Sequence, residues 1–449
     1  MRTLRALFTF SSLYLLILGS NAQLTYQLSS TLLNIDVVVD SDRVDIPWEI
    51  LWGPDDRLWM TDGPLITRWD PLTDVIDTLL QRSYGNGLGM ALHPDFPFTP
   101  IVMAVFDTSS YYAGGDLCEV SRFTYDPVND RLIDEEVLFT YPHSGEHGGG
   151  RLLFDTAGYV LLTTADYWHP DDSLFYNRGK TLRFGTDGTV PSDNPRADYT
   201  WSWGHRNPQG LAMLPNGGIV NTEHGQATNE INLILPNRDH GWFAYDGAQC
   251  TNIFPDSCTS ATFVNTLPLA EFIEPPAGAE FYSSPAIPEL QNKLLAGILW
   301  FTGIKLFTFN EAFDSITEQD YLNGGAFTDM VRLRDIAIRP DGAFYLITND
   351  RQNARIRLVH NPLATLVAPI NPIENTLVAW PNPTVDDLNV ITGASGSLEV
   401  FDMRGSRLSI PSQRMGDRII LDLSGCANGL YIIRSTGPGP VRSTRIIKQ

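Results

Sequence analysis

Three clusters in the sequence hold the side chains that can do chemistry. The first is Gly145-Glu146-His147-Gly148-Gly149-Gly150-Arg151. Glycines beside a histidine let backbone and imidazole approach a ligand closely. An imidazole titrates near neutrality, which suits a general base. A strand later Asp166 ends an apolar run, where its carboxylate could orient that imidazole. His143, next to Pro142, reads as an ordinary loop histidine. The second cluster, Trp203 to Leu211, packs His205, Arg206, Asn207 and Gln209 between two glycines. An arginine there offers a planar, two-pronged grip on a carboxylate. Glu223-His224-Gly225-Gln226 and Asn229-Glu230-Ile231-Asn232 follow, combining carbonyls and acids that suit calcium, or else forming a plain polar turn. The third cluster is Arg332-Leu333-Arg334-Asp335. On a strand, alternation puts Arg332 and Arg334 on one face, where they would hold a polyanion or pair with surface acids.

The charge balance narrows what that polyanion can be. Lys and Arg number 31 against 52 Asp and Glu, a net charge of −21. A chain this acidic does not suit nucleic acid, whose binding rests on cations against phosphates, or an anionic membrane surface. The expected ligand is small and held by a local concentration of positive charge.

The elements that would position these clusters read as strands. GPDDRLWMTD (Gly53–Asp62), FDTAGYVLLTTAD (Phe154–Asp166), LPNGGIVNTEH (Leu214–His224) and RPDGAFYLITND (Arg339–Asp350) repeat one plan, a polar turn followed by a β-rich run. Such turns join hairpins. Hairpins recurring at intervals of several tens of residues indicate a β-propeller. Residues 30–362 accommodate six blades of about 55 residues each. Residues 363–374, with Ala368-Pro369-Ile370-Asn371-Pro372, read as a linker, and residues 375–449 as a small β-sandwich. The fold class is thus all-β, a six-bladed propeller followed by a sandwich.

The ends of the chain bear on its compartment. Arg2 and Arg5, the apolar run Ala6 to Leu18 and Gly19-Ser20-Asn21-Ala22 have the layout of a signal peptide over residues 1–22. No later segment approaches 18 apolar residues, so no transmembrane segment is expected in the mature chain. Cys250 and Cys258 bracket a short polar loop and would form a local disulfide in an oxidising compartment. Cys118 and Cys426 are left over.

Two resemblances add to this reading. IPWEILWGPDDRLWMTD, GLGMALHPDF, HGGGRLLF, GKTLRFGTDGTVPSDNP, GHRNPQGLA, EHG…NEIN and RLRDIAIRPDGAFYL resemble, in order, the soluble glucose/sorbosone dehydrogenase family. That resemblance implies a six-bladed propeller that uses pyrroloquinoline quinone and calcium to oxidise a sugar hydroxyl by hydride transfer. By motif it implies His147 as general base and Asp166 as the acid that follows it. Arg206 and Asn207 fall on the cofactor side, Arg332 and Arg334 on the quinone carboxylates, and the Gly225 and Gln226 carbonyls on calcium. The sequence also departs from the glucose enzymes. The segment before Gly87 lacks their Gln, Ala296 to Gly303 lacks their Lys, Gln226 stands where Pro is usual, and Glu146 where Asp is usual. A non-catalytic carbohydrate- or protein-binding propeller is the competing expectation, and a calcium-dependent lactonase a third. Beyond the linker, Trp380-Pro381-Asn382-Pro383, Asp402-Met403-Arg404-Gly405 and LDLSGCANGLY resemble the type A sorting domain of the type IX secretion system, which implies export to the cell surface or beyond.

Overall fold

The structure, a computed structural model, describes residues 24–364 and 378–448 except 98, 109–116, 144–146, 167–176, 252–257, 259–265, 381–383, 385, 392–396, 403–406, 416–417 and 437–442. The signal peptide expected at residues 1–22 and most of the expected linker therefore lie outside the described residues.

Six sheets make the propeller, antiparallel throughout except where Arg238–Asp239 adds to Thr200–Trp203 in parallel. The innermost strands are Pro47–Trp52, Asn86–Leu92, Leu152–Phe154, Pro208–Met213, Pro276–Tyr282 and Leu333–Ile338, in blades 1 to 6. Each touches the next, and Leu333–Ile338 returns to touch Pro47–Trp52, so they enclose a central channel. Blade 6 is completed from the other end of the chain. Leu32–Val39 pairs antiparallel with Arg355–His360, with Asn34 opposite His360, and Leu24–Gln27 adds a further strand outside it. This pairing closes the ring.

The packing explains why so many strands read as unbroken apolar runs. A blade is buried on both faces, so both sets of alternating side chains must be apolar. In Ile101–Asp107, Val102 through Phe106 are all fully buried. Met103 and Val105 point into a cluster with Leu152, Val160 and Leu162 of blade 3. Val102, Ala104 and Phe106 point the other way, onto Trp59 and Ile66 of blade 1. The recurring polar turns are also accounted for. Asp155 Oδ1 accepts from the amides of Ala157 and Tyr159, and Gly158 takes φ 84°, a conformation that costs glycine little.

Two further four-stranded antiparallel sheets follow. One holds Val378–Trp380, Asp387–Ile391, Arg418–Asp422 and Ser412–Met415. The other holds Arg407–Leu408, Ser397–Asp402, Gly429–Thr436 and Ser443–Lys448. Leu388, Val390, Val400, Leu421, Ile433 and Ile446 fill one core between them, as in a sandwich.

Candidate active site

All three clusters arrive at one rim of the channel, for a topological reason. Neighbouring strands of a blade run antiparallel, so the start of an inner strand and the end of the next strand lie at the same edge. His147 precedes Leu152–Phe154, Arg206 and Asn207 precede Pro208–Met213, and Arg332 precedes Leu333–Ile338. Asp166 and His224 follow the second strands of blades 3 and 4. The glycines after His147 serve this approach. Gly149 has φ 59°, and a Cβ on it would lie 2.7 Å from the Thr163 carbonyl oxygen.

His147 is half-buried. Burial, then Arg206 and His143, push its pKa down to about 4, so the imidazole is neutral at ordinary pH. Asp166 is buried, and its amide donates to the Arg206 carbonyl oxygen at 2.7 Å. Arg206 is held from both ends. Its amide donates to Glu223 Oε1, and its Nη1 donates to the carbonyls of His224 at 3.1 Å and Gly225 at 2.8 Å. The guanidinium also lies 5.2 Å from the Trp242 ring. Beneath it, Ser202 Oγ contacts His205 Nε2 at 2.9 Å and His205 Nδ1 contacts Glu223 Oε2 at 2.8 Å. That row has the order of a nucleophile triad, but Ser202 and His205 are fully buried, so it positions Arg206 and meets no substrate. Asn207 is buried, accepting from Gln209 Nε2 at 2.7 Å.

The Gly225 loop is turned so that its amides face inward. Asp246 accepts from Gln226 at 2.8 Å and Ala227 at 2.6 Å. The His224 and Gly225 carbonyls meanwhile converge on a cation, the Arg206 guanidinium. Carbonyl oxygens are the donors calcium takes, but these two already accept from a guanidinium. Each carbonyl has two lone pairs, so Gly225 can serve Arg206 and a metal together.

The two arginines of the third cluster differ from the sequence expectation. Arg332 stands outside the strand with φ 58°, and a register shift between Leu333 and Asp335 breaks the alternation. One face by alternation is therefore not what relates them. Arg332 Nε donates to Asn349 Oδ1 at 3.2 Å. Arg334 is 7 % exposed, stacks on Trp48 at 4.3 Å, and has no ion pair or hydrogen bond among the described residues. Trp48 carries a second guanidinium, Arg151, also at 4.3 Å. The charge of Arg151 is balanced: its Nη1 lies 2.5 Å from Glu49 and 3.0 Å from Asp335, and its Nε donates to the Gln209 carbonyl at 3.0 Å. The same indole thus bears a neutralised cation and an unmatched one. A buried cation without a carboxylate is what an anionic ligand needs. The residues present fit a polycarboxylate cofactor.

Residues 44–358 match the glucose/sorbosone dehydrogenase family, and residues 378–449 match the secretion system C-terminal sorting domain. The chain belongs to the glucose/sorbosone dehydrogenase family. It is 27 % identical to aldose sugar dehydrogenase YliI of Escherichia coli over 359 residues, 72 % of this chain and 92 % of that one. It is 30 % identical to quinoprotein glucose dehydrogenase B of Acinetobacter calcoaceticus over 251 residues, 46 % and 52 % of the two chains. In fold it is similar to the pyrroloquinoline quinone-bound aldose sugar dehydrogenase of Streptomyces coelicolor, with TM-score 0.60 and 22 % identity over 73 % of this chain and 98 % of that one. Membership makes this chain a sugar oxidoreductase with a sorting tail.

The structure adds residues to this family site that motif reading passed over. His224 lies within electrostatic reach of His147, Arg206 and Arg334, and burial pushes its pKa down to about 3. Its Nε2–H donates to the Pro276 carbonyl. Lys180, fully buried and within reach of Asp166, is pushed down to about 8 by burial. Trp48 gave no signal because a tryptophan in a strand reads as core. A cavity of about 550 Å³ opens from the opposite end of the channel, walled by Glu49, Arg151, Glu280 and Asp335 together with Trp52, His93 and Pro340. It lies at the far ends of the inner strands, away from His147, and we place the chemistry at the rim. The Cys250–Cys258 disulfide is formed, with S–S 2.01 Å.

Proposed function

We propose that this protein is an exported enzyme that oxidises an aldose at its ring hydroxyl, using pyrroloquinoline quinone and calcium at the His147 rim. The observation that carries the reading is Arg334, a buried and unmatched cation on Trp48 in a chain of net charge −21. When bound, pyrroloquinoline quinone supplies the acceptor for a hydride from the sugar carbon. Arg334, with Arg332, would hold its carboxylates, and the Gly225 and Gln226 carbonyls would hold calcium. Arg206 and Asn207 stand on the cofactor side, where Arg206 places positive charge against developing negative charge.

His147 takes the hydroxyl proton on its imidazole. Its low pKa keeps the ring free to accept at neutral pH. Asp166, buried at the end of the second strand of the same blade, would supply the carboxylate that favours the imidazolium once the proton has arrived. Glu223 holds the Arg206 backbone in place from below. The reading extends to the ends of the chain: a signal peptide is removed after Ala22, and the tail is the address for type IX secretion.

The test mixes purified quinone-free protein with the quinone and calcium, then adds a panel of aldoses and an artificial electron acceptor. Quinone binding followed by aldose-dependent dye reduction is expected, and a calcium chelator should release the quinone. Failure to bind quinone at micromolar concentration would overturn the proposal and favour a propeller that binds carbohydrate without chemistry.

A further inference from the structure

Outside this site, one group of side chains has a composition that neither the fold nor the redox chemistry uses. In blade 2, Asp107 lies opposite Cys118, and Cys118 lies opposite Tyr141 on the other side. Residues directly opposite on antiparallel strands project to the same face. Asp107, Cys118 and Tyr141 therefore form one row, and His143, two residues beyond Tyr141, returns to that face. The expectation of an ordinary loop histidine does not hold. His143 has a side chain 10 % exposed, with Nε2 3.6 Å from Asp107 Oδ2. One donor atom from each of Asp107, Cys118 and His143 lies within 4.8 Å of the others, and the Cys118 sulfur is fully buried.

We propose that Asp107, Cys118 and His143 form a site for a zinc-type divalent cation, closed by one water. Thiolate, imidazole and carboxylate bind zinc at about 2.3, 2.0–2.1 and 2.0–2.2 Å, so tetrahedral donors stand roughly 3.3–3.6 Å apart. The His143–Asp107 separation already meets that spacing, and the sulfur needs a movement of about 1.3 Å at most. The charges also balance. Binding releases the Cys118 thiol proton, and the thiolate with the Asp107 carboxylate then offsets two positive charges, so the buried site is neutral. A sulfur donor selects against calcium and magnesium, which take oxygen. This metal is therefore separate from the calcium proposed at Gly225.

The location gives the metal a task. Tyr141 Oη–H donates to the Gly148 carbonyl at 3.2 Å, and a Cβ on Gly148 would come within 3.0 Å of His143 Nε2. The cation would tie the ends of three blade 2 strands to the segment that presents His147. It is a structural site one layer behind the base.

Cobalt(II) tests this without any activity measurement, because a thiolate-to-cobalt transition absorbs in the near ultraviolet and oxygen or nitrogen donors give no such band. Only Cys118 and Cys426 are free thiols. The full chain, stripped with a chelator and then refolded in the presence of cobalt, should bind one equivalent and develop the band. Cys118→Ser should abolish the band, Cys426→Ser should leave it unchanged, and His143→Ala should weaken cobalt binding at least about tenfold. Asp107→Asn serves as a second, nearly isosteric variant with the same expected weakening, and thermal melting confirms that each variant is folded. Absence of the band in the unaltered protein, or its persistence in folded Cys118→Ser, would overturn the proposal.

Discussion

Replacing Arg334 by Met should make the quinone-free protein more stable and the quinone-loaded protein weaker. The opposite signs follow from the surroundings of the guanidinium. Arg334 is 93 % removed from solvent by its 7 % exposure, and no carboxylate bonds to it. Burial, then the charges of Arg151 and Arg332, push its pKa well below the usual arginine range, opposed by Asp335 and Glu49. Burying a charge without a bonded partner costs several kcal/mol, and replacing buried ions with apolar groups of similar volume often stabilises by about 1–4 kcal/mol. Methionine keeps most of the stem volume and gives up the contact to Trp48, which contributes roughly 0.5–2 kcal/mol. A net gain of about 1–2 kcal/mol remains, or about 1.5–3 °C in melting temperature for a propeller of this size.

Binding should change the other way. A charge-assisted hydrogen bond contributes about 1.5–3 kcal/mol, so quinone affinity should fall by roughly 10- to 150-fold. Differential scanning calorimetry of the quinone-free variant and titration calorimetry with quinone plus calcium read the two effects separately. A variant that melts several degrees lower while binding quinone normally would refute the reasoning, because Arg334 would then be a structural residue with an adequate partner.

Three other outcomes follow. His147→Ala should lower kcat by about 10²–10⁴-fold with quinone affinity retained. In the unaltered enzyme, kcat/KM should hold between pH 5 and 7 and fall only as pH drops through about 4, since a lowered histidine pKa leaves the base unprotonated above that value; an acid limb centred near 6.5 would remove His147 from the role. A chain ending at Ala364 should fold and keep one cooperative melting transition, because Leu32–Val39 closes the ring against Arg355–His360 before the tail begins; aggregation of that chain would show that the propeller depends on its tail.

Much of this molecule was legible because periodicity and turn chemistry are local properties. The four repeated hairpin phrases gave the propeller, and the blade count followed from its length. The positions of His147, Arg206 and Gly225 could be read because each lies beside glycines or turns that place it at a strand end. The arginine pair was harder. Its same-face reading assumed unbroken alternation, whereas Arg332 has positive φ and the strand is bulged at Leu333–Asp335. The Asp107–Cys118–His143 row was invisible because it depends on the exact register of three neighbouring strands, and the role of Trp48 because it depends on arginines from two other blades. His143 looked ordinary beside Pro142, and only the register with Leu117–Asp126 brings Cys118 and Asp107 to it.

The division of charge around Trp48 explains how an acidic protein can keep a place for an anion. Arg151 and Arg334 stand on the same indole, and mutual repulsion would be severe if both were unmatched. Glu49 and Asp335 neutralise Arg151. Asp335 also accepts from the Ile50 amide at 2.8 Å, which helps hold its carboxylate against Arg151. Gly278 makes room for that arrangement, since a Cβ there would sit 1.8 Å from Asp335 Oδ1. The acid nearest to Arg334 in sequence is thus committed to another arginine. Arg334 is left without a carboxylate partner among the described residues and lies against the Trp48 ring.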